Sequence, residues 1–513
     1  VPQAADLQQT TTSQISRVHF IGIGGAGMSG IALVAHERGI KVSGSDLKQS
    51  RYMRSLLRAG VPVSVGHDPA NIADQDIDVV VVSSAIPANN PEYQVATELG
   101  LTIWPRARML AYLGEGRTTL AVAGTHGKTT TSAMLATTLD RLGADPTFLV
   151  GGVLDGYDST AKAGNGPYFV VEADESDGSF TWLSPQLAIV TNIEPDHLDH
   201  YKDLSEITAA FHAFLGKMPP QGTLVVWDET YGLSELLATH GHNACVYGAS
   251  NQEAPSNTPS NTPALRCIPK GVHDCDIIFP DGQRISLSLP ASPGLHNLLN
   301  ATAVMGALDT LGFDRNAAAA ALNQYSGVKR RFDHIGQAQG VTVVDDYGHH
   351  PTEIDATLKA ASELGYTRLH VLFQPHRYTR TQALLAEFAQ AFDHADTISF
   401  MDIYSAGETP IPGVNGEALV AAVQDHNPQA DVRFIKHLGD VADAMAQIAQ
   451  PGDLVITMGA GDVTLLGPLI LESLCHPGLD PGPTPAAAEG QRLSSTSLPS
   501  SQISLQESTS VRL

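Results

Sequence analysis

A chain of 513 residues has room for roughly three domains, each able to bury its own core. With 30 Lys and Arg against 54 Asp and Glu the formal charge is −24, which excludes long-range attraction to nucleic acid or an anionic membrane, so anionic ligands must be held by local positive sites. The four cysteines, Cys245, Cys267, Cys275 and Cys475, show neither a CxxC pair nor zinc-ligand spacing, which argues against a disulfide framework and for a reducing, cytoplasmic setting.

No apolar run approaches the roughly 20 residues needed to span a bilayer. Residues 1–16 are polar, without the basic-then-apolar order of a signal peptide, and are expected to be a disordered segment of a soluble protein. Residues 18–23 then form an apolar strand, 28–38 a helix stopped by Gly39, and 40–43 a second strand, a βαβ unit that opens a first α/β domain over 17–115. Another buried strand follows at 79–83, and the stretch from Trp104, Pro105 and Arg106 to Gly116 reads as the exit. A larger α/β domain is expected over 116–328, with apolar strands at 120–123, 148–150, 169–171, 188–191 and 224–227 and a closing helix at 296–311. Within it, 249–263 is rich in Asn, Ser and Pro and reads as an exposed insertion without a site. Residues 327–332 read as a polar hinge into a third domain, 329–475, whose strands at 341–344, 370–373, 397–400 and 454–457 alternate with helical patterns such as 354–364, the mark of a mostly parallel sheet. The remainder, 476–513, holds no Phe, Trp or Tyr and reads as a disordered tail. The fold class is therefore α/β throughout, in three domains.

The most informative segment is 121–131. An apolar strand runs into Gly124, Thr125, His126, Gly127, Lys128, Thr129 and Thr130 at the start of a helix. Backbone N–H groups freed by the glycines can cradle phosphate oxygens, Lys128 can reach terminal phosphates, and the Thr129 hydroxyl can ligate magnesium. A strict P-loop has its first glycine where this chain has Val122, and Gly124 supplies a shortened turn; an ordinary strand-turn-helix corner is the competing interpretation. The first βαβ unit carries Gly22, Gly24 and Gly27 in the GxGxxG spacing, followed by Asp46 at the end of the second strand. That would bind NAD in a dehydrogenase, yet such a turn holds any pyrophosphate at a helix N-terminus, and a nucleotide-sugar diphosphate fits equally well. His67, Ser83 and Ser84 lie near the carboxyl edge of the same sheet, where ligands of such sheets bind. In the middle domain the strand ending at Glu172 delivers that carboxylate, with Asp174, Glu175 and Asp177, to the edge that carries the phosphate loop, and Glu172 is the natural magnesium ligand. A neighbouring strand brings Glu194, Asp196, His197, Asp199 and His200 to the same edge. Magnesium prefers oxygen, so chemistry alone leaves His197 open between a ligand and a solvated loop residue.

Taken together, the glycine turn 22–30, the loop 124–130, Glu172 to Asp177, Asp196 with His197, His296 and Asn297 with Asn300, Arg330 to Phe332, and the run Asp345-Asp346-Tyr347-Gly348-His349-His350-Pro351-Thr352-Glu353 resemble the Mur ligases of bacterial cell-wall synthesis over about residues 17–470. The resemblance implies a Rossmann-like first domain that binds a UDP-sugar, a P-loop ATPase-like middle domain and a Rossmann-like last domain that binds an amino acid. The shortened phosphate loop is the form that family uses. The activity implied is ATP-dependent amide formation, in which the lactyl carboxylate of UDP-N-acetylmuramic acid takes the γ-phosphoryl group of ATP and L-alanine then displaces phosphate from the acyl phosphate. By the same resemblance Lys128 and His197 are catalytic, Thr129 and Glu172 hold one Mg²⁺, and Glu172 with His197 a second, Mn²⁺ being able to substitute. Gly22, Gly24, Gly25, Gly27, Asp46, His67, Ser83 and Ser84 would hold the UDP part; His296, Asn297 and Asn300 would meet adenine, Asp346 the ribose and Arg331 the phosphates. Tyr347, His349, His376, Arg377 and Arg380 would line the alanine pocket, where the planar arginine fork suits an α-carboxylate. Closure of the domains around substrates, a monomer or weak homodimer, and neither nucleic acid nor membrane as partner are implied as well. A recycling ligase that attaches a whole peptide, an NAD-dependent oxidoreductase and a non-catalytic nucleotide-binding module are the alternatives.

Overall fold

The computed structural model describes residues 15–73, 76–176, 178–196, 201–240, 243–249 and 262–475. His197, most of the expected insertion at 249–263, residues 1–14 and the expected disordered tail 476–513 therefore lie outside the described residues, whereas Ile15 and Ser16, expected to be disordered, are held: Ile15 is buried, and Ser16 N donates to Asp78 Oδ2 at 2.7 Å.

The first sheet is parallel throughout, with strands β1 (Arg17–Ile21), β2 (Lys41–Asp46), β3 (Val63–Val65), β4 (Val79–Val82) and β5 (Thr102–Pro105) in the order β3-β2-β1-β4-β5. β1 is buried on both faces, Val18 and Phe20 joining one apolar cluster and Ile21 another, which is why it reads as an unbroken apolar run. The helix Ala26–Glu37 starts from an extended Gly25 and ends before Gly39, whose φ of +84° turns the chain back. Residues 28–35 of this helix are all buried because it is clamped between the first sheet and the middle domain. A Cβ at Gly30 would lie 3.2 Å from Thr160 Oγ1 and 3.3 Å from Ala161 Cβ, so the absent side chain sets how closely the domains pack. One apolar cluster runs from Val18 and Phe20 through Met28 and Ile31 to Ala121, Val171 and Ala188. The joint between the first two domains is thus apolar.

The middle sheet has ten strands: β6 (Thr118–Ala123), β7 (Thr147–Leu154), β8 (Ser159–Lys162), β9 (Tyr168–Glu172), β10 (Leu187–Val190), β11 (Thr223–Trp227), β12 (Ala244–Ala249), β13 (Ala264–Pro269), β14 (Asp274–Ile278) and β15 (Arg284–Ser288). Their order is β15-β14-β13-β12-β11-β10-β6-β9-β7-β8. The central strands are parallel, whereas β8 and the β13-β14-β15 meander are antiparallel. Sequence reasoning did not anticipate those edges, whose alternating burial interleaves polar residues with Leu265, Cys267, Ile277 and Leu287. Cys267 and Cys275 are free thiols buried on adjacent strands of this meander.

The third sheet runs β16 (Asp333–Ala338), β17 (Val341–Asp346), β21 (Leu454–Met458), β18 (Leu369–Phe373), β19 (Thr397–Phe400), β20 (Asp431–Phe434), with β16 alone antiparallel. The hinge before β16 is not simply polar as expected. Val328 is 3% exposed, bridges Leu154 and Arg331, and is followed by Lys329, whose N–H donates to Val153 O at 2.9 Å. Arg330 and Phe332 then take φ of +66° and +49°, a sharp reversal that points Arg331 back at the middle domain. Contacts across this second joint near the phosphate loop are mainly polar: Arg380 to Asp196, Thr352 to Glu194 and His126 to Glu353. Among the described residues no helix is long and apolar enough to cross a membrane.

Candidate active site

β6 sits at the middle of its sheet with β9 and β10 on either side, so its carboxyl end delivers the 124–127 turn beside Glu172 and Thr191. Gly124 has φ of +137°, and a Cβ there would meet Thr191 Oγ1 and come within 3.0 Å of Asn192 N, so the turn needs glycine twice over. The loop is pinned to the end of β10: Thr125 N donates to Asn192 O (3.1 Å), His126 N to Asn192 Oδ1 (2.8 Å), and Thr191 Oγ1 and Asn192 Nδ2 both donate to His126 O. These anchors replace the residues that a longer phosphate loop would contribute. Gly127, at φ +81°, starts the helix Lys128–Arg141 without a side-chain cap, so the first-turn N–H groups and the helix dipole face the cleft.

Lys128 Nζ donates to Gly124 O (2.6 Å), Thr125 O (3.1 Å) and Glu175 Oε1 (2.8 Å). Burial disfavours its charge, but Glu175, Asp174 and Glu172 outweigh burial and hold the ammonium above its ordinary value. Glu175, 2% exposed at its side chain, is pushed up to about 7 by burial, with Lys128 pulling the other way. Glu172 accepts from Thr129 Oγ1 at 3.1 Å and from Gly151 N at 2.7 Å. A Cβ at Gly151 would lie 2.5 Å and 2.8 Å from the two Glu172 oxygens and 2.8 Å from Thr129 Oγ1. The glycine therefore leaves open a cradle of hydroxyl and carboxylate oxygens, a donor set that fits Mg²⁺.

An open cleft of about 1030 Å³ extends from His126, Gly127 and Thr130 between the middle and last domains. His296, Asn297 and Asn300 enter it from the helix Leu295–Thr310, and Arg331, Asp346 and Glu353 from the other side. Asn297 and Asn300 are buried; the Asn297 amide donates to Pro293 O at 2.9 Å, and a Cβ on Gly127 would lie 2.9 Å from Asn300 Oδ1. Burial pushes the His296 ring down to about 4, so it is neutral at pH 7. Asp346 accepts from Phe332 N (2.8 Å) and Gly348 N (2.7 Å); burial raises its carboxyl to about 6 against the pull of Arg331.

Beside this cleft the expected alanine-pocket residues come together. Tyr347 lies under both Arg330 and Arg331, whose guanidinium carbons stand 4.8 Å and 5.0 Å from its ring centre. Tyr347 is 5.2 Å from His349, which is 5.8 Å from His376, and His376 stacks on Tyr404 at 5.6 Å and 11°. Arg380 donates to Asp196 Oδ1 at 3.1 Å and reaches His376 Nδ1 at 3.5 Å. Arg377 holds φ of +70°, and its N–H donates to Tyr404 O at 2.9 Å. Burial lowers His349 to about 3 and His376 to about 4, leaving both rings neutral and weakly basic.

In the first domain, Gly22, at φ +82°, turns beneath Ser83, and Gly25 N donates back to Gly22 O at 3.3 Å. Gly24 N donates to Asp46 Oδ2 at 2.9 Å, and a Cβ on Gly27 would lie 2.5 Å from Arg106 Nη1. Ser84 is exposed on the turn after β4. The His67 ring is tied to Ser45 Oγ (2.8 Å) and lies 3.5 Å from Glu92. Glu92 has a fully buried side chain ringed by His19, Asn71, Ser45 and the Asp68 N–H; burial opposes its charge, but these partners hold it down near 2. Sequence reasoning missed Glu92, since nothing in Pro91-Glu92-Tyr93 marks a buried carboxylate. It also missed Glu353, although His350-x-x-Glu353 is a legible capping pattern.

His126, Glu194 and His350 bring ligand-type atoms within 4.8 Å of one another. His126 Nε2 faces Glu194 Oε2 at 3.5 Å, and neither it nor His350 Nε2 has a hydrogen-bond partner among the described residues. His126 Nδ1 faces Glu353 at 3.2 Å, and His350 Nδ1 accepts from Thr352 N, which puts the proton of that neutral ring on Nε2.

Residues 17–118 match the Mur ligase family, catalytic domain; 122–308 match the Mur ligase middle domain; and 330–461 match the Mur ligase, glutamate ligase domain. The chain is 42% identical over 462 residues to UDP-N-acetylmuramate--L-alanine ligase of Solidesulfovibrio magneticus, covering 90% of this chain and 99% of that protein. It is 44% identical to the ligase of the same name from Pelotomaculum thermopropionicum, over 88% of this chain and 96% of that one. The crystal structure of the UDP-N-acetylmuramate-alanine ligase of Thermotoga maritima superimposes with a TM-score of 0.72 at 28% identity, over 89% of this chain and 99% of the other. By all three domain matches and by these relatives, the chain belongs to the Mur ligase family.

Proposed function

We propose that this protein uses ATP to join L-alanine to the lactyl carboxylate of UDP-N-acetylmuramic acid, giving ADP and phosphate, as a step of peptidoglycan synthesis. The observation that carries this is the convergence, at the joint between the middle and last domains, of a glycine phosphate loop with Lys128, an oxygen cradle at Thr129 and Glu172, and a neighbouring pocket of neutral histidines and arginines. Relatives that cover nearly the whole chain carry that activity in their names.

Each residue then has a task. The 124–130 turn and the helix start hold the triphosphate, and Lys128 stabilises the phosphoryl group as it passes to the sugar carboxylate. Arg331 faces the phosphates, Asp346 the ribose, and His296, Asn297 and Asn300 the base. Thr129 and Glu172 would hold Mg²⁺, with His197 on the adjoining segment assigned to a second ion or to the phosphoryl group; bound there, the metal supplies charge neutralisation. Arg380 or Arg377 pairs with the alanine carboxylate, and His349, His376 or solvent accepts the proton that the ammonium must lose before it attacks the acyl phosphate. The first-domain glycines with Asp46, His67, Ser83 and Ser84 hold the UDP part. Packing of the last domain over the cleft keeps water from the acyl phosphate.

Phosphate release from ATP and Mg²⁺ with UDP-N-acetylmuramic acid, with and without L-alanine, is the test. Release that needs both acceptors supports the proposal. Release only with L-alanyl-γ-D-glutamyl-diaminopimelate moves the chain to the peptide-recycling branch, and no release with either removes the catalytic assignment.

A further inference from the structure

Glu353 belongs to none of the groups assigned above, yet it touches three of them. It is the third residue of the helix Pro351–Ser362, and its Oε2 turns back to accept from His349 N at 3.1 Å and His350 N at 3.4 Å, completing a capping box. That task needs no charge, because glutamine serves in a capping box as well as glutamate. The second oxygen does something else. Oε1 leaves the last domain, lies 3.2 Å from Nδ1 of His126 in the phosphate loop, and stands 3.8 Å from Arg331 Nη1 on the hinge. His349, which donates to Oε2 through its backbone, also brings Nδ1 to 3.6 Å of it. One buried carboxylate, 14% exposed, thus faces the phosphate loop, the hinge arginine and the loop that carries Tyr347 and His349.

His126 is the other half of the contact. Its side chain is 11% exposed, its Nε2 faces Glu194 Oε2 at 3.5 Å, and its backbone is held by Thr191 and Asn192. The ring is therefore set between a carboxylate of its own domain and one of the last domain. Thr352 Oγ1 donates to the same Glu194 oxygen at 3.2 Å, so the start of the last domain's helix grips both sides of the loop. Burial works against charge on this ring, but Glu194 and Glu353 overcome it and raise His126 to about 9; Glu353 is held well below its ordinary value. A buried carboxylate without cationic partners would be costly, and His126 and Arg331 are what make this one stable.

We propose that Glu353 is a positioning residue that couples seating of the last domain to the shape of the phosphate loop, so that the loop is held in register only when the amino-acid side of the site is in place. The proposal rests on the ligase assignment for what it does to turnover, but not for the contact itself. Glu353→Gln keeps the capping oxygen and removes the charge. It is expected to leave the thermal midpoint within a few degrees, to lower kcat, and to reduce kcat/KM for both ATP and L-alanine by about 10- to 100-fold, the range for losing a charged hydrogen bond. His126→Gln combined with it should be no worse than the more damaging single change, because the pair acts as one unit. Hydrogen exchange of segment 124–131 at saturating ADP supplies a readout free of the substrate assignment, and faster exchange in Glu353→Gln than in the wild type is expected. A Glu353→Gln protein with wild-type exchange, or one whose effect adds fully to that of His126→Gln, would overturn the coupling while leaving wild-type turnover, and so the proposed function, untouched.

Discussion

Gly151→Ala perturbs the cation cradle without removing any donor. Gly151 is exposed and its φ is not in the left-handed region, so alanine is tolerated by the backbone and the fold should lose no more than the hydrogen bond that Glu172 gives up, about 1.5–3 kcal/mol. The added methyl, however, would come within 2.5 Å and 2.8 Å of the Glu172 oxygens and 2.8 Å of Thr129 Oγ1. Glu172 must then swing away, giving up the 2.7 Å bond from Gly151 N and its 3.1 Å approach to Thr129. Withdrawing the Glu172 carboxylate from the cation should lower kcat/KM by about 10- to 100-fold, the loss of one charge-assisted contact of about 1.5–3 kcal/mol. The Mg²⁺ concentration for half-maximal rate should rise with it. Phosphate release titrated with Mg²⁺ beside a calorimetric melt reads both quantities. Gly439→Ala, with nothing within 4 Å of its Cβ, is the control and should change neither. A Gly151→Ala enzyme with wild-type rate and Mg²⁺ dependence would refute the assignment of Thr129 and Glu172 to the metal.

Lys128→Met should cost at least about 10³-fold in turnover, the scale for losing a cationic group on a transferring phosphoryl, while calorimetry should find UDP-N-acetylmuramic acid binding within a few-fold of wild type. Glu92→Gln should destabilise the first domain by about 2 kcal/mol and raise KM for the UDP-sugar, because the Ser45, His67 and Asn71 contacts lose their charged partner; an unchanged melt and KM would count against it. His126 has a raised value in the folded state, so its contribution is fully present below pH 6.5 and is lost as pH rises through about 9. Melting temperature should therefore fall between pH 7 and 10, by up to about 3 kcal/mol of stability, and His126→Gln should flatten that part of the profile.

Most of the strands legible in the sequence are buried on both faces, although β12, with Val246 in one core and Cys245 and Tyr247 in the other, escaped as well. Leu120 and Val122 face one core and Ala121 and Ala123 the other, which leaves no polar position to break the run. β13 to β15, β16 and β20 escaped because one face of each is wet, and their alternation is mixed with Pro269, Asp274 and Arg284. Site residues divide the same way. Gly124, Gly127, Lys128 and Thr129 are adjacent in sequence and act through local backbone geometry, so a short pattern contains them. Glu353 and Glu92 act through partners far along the chain, 227 residues away in the case of His126 and 47 in that of Ser45. A capping pattern shows that Glu353 turns back on its own helix; nothing in it shows where the second oxygen goes.

The two domain joints divide the work between rigidity and motion. The first is an apolar cluster continuous from Phe20 and Ile31 to Ala121 and Val171, and separating it would expose side chains that gain nothing from water. Near the phosphate loop the second rests on ion pairs and hydrogen bonds, whose groups can exchange a protein partner for water or for a substrate at little net cost. The cations at and beside the cleft are matched among the described residues: Lys128 by Glu175, Arg380 by Asp196, Arg377 by Glu408, Arg330 by Asp345, and Arg331 and His126 by Glu353. In a chain of charge −24, these pairings keep the cations in place before any anion arrives. On the assignment proposed above, a triphosphate would compete with Glu175 for Lys128, and an amino-acid carboxylate with Asp196 for Arg380. On the proposed assignment substrate binding would rewrite the polar joint and leave the apolar one alone, and the last domain would be the part that opens and closes.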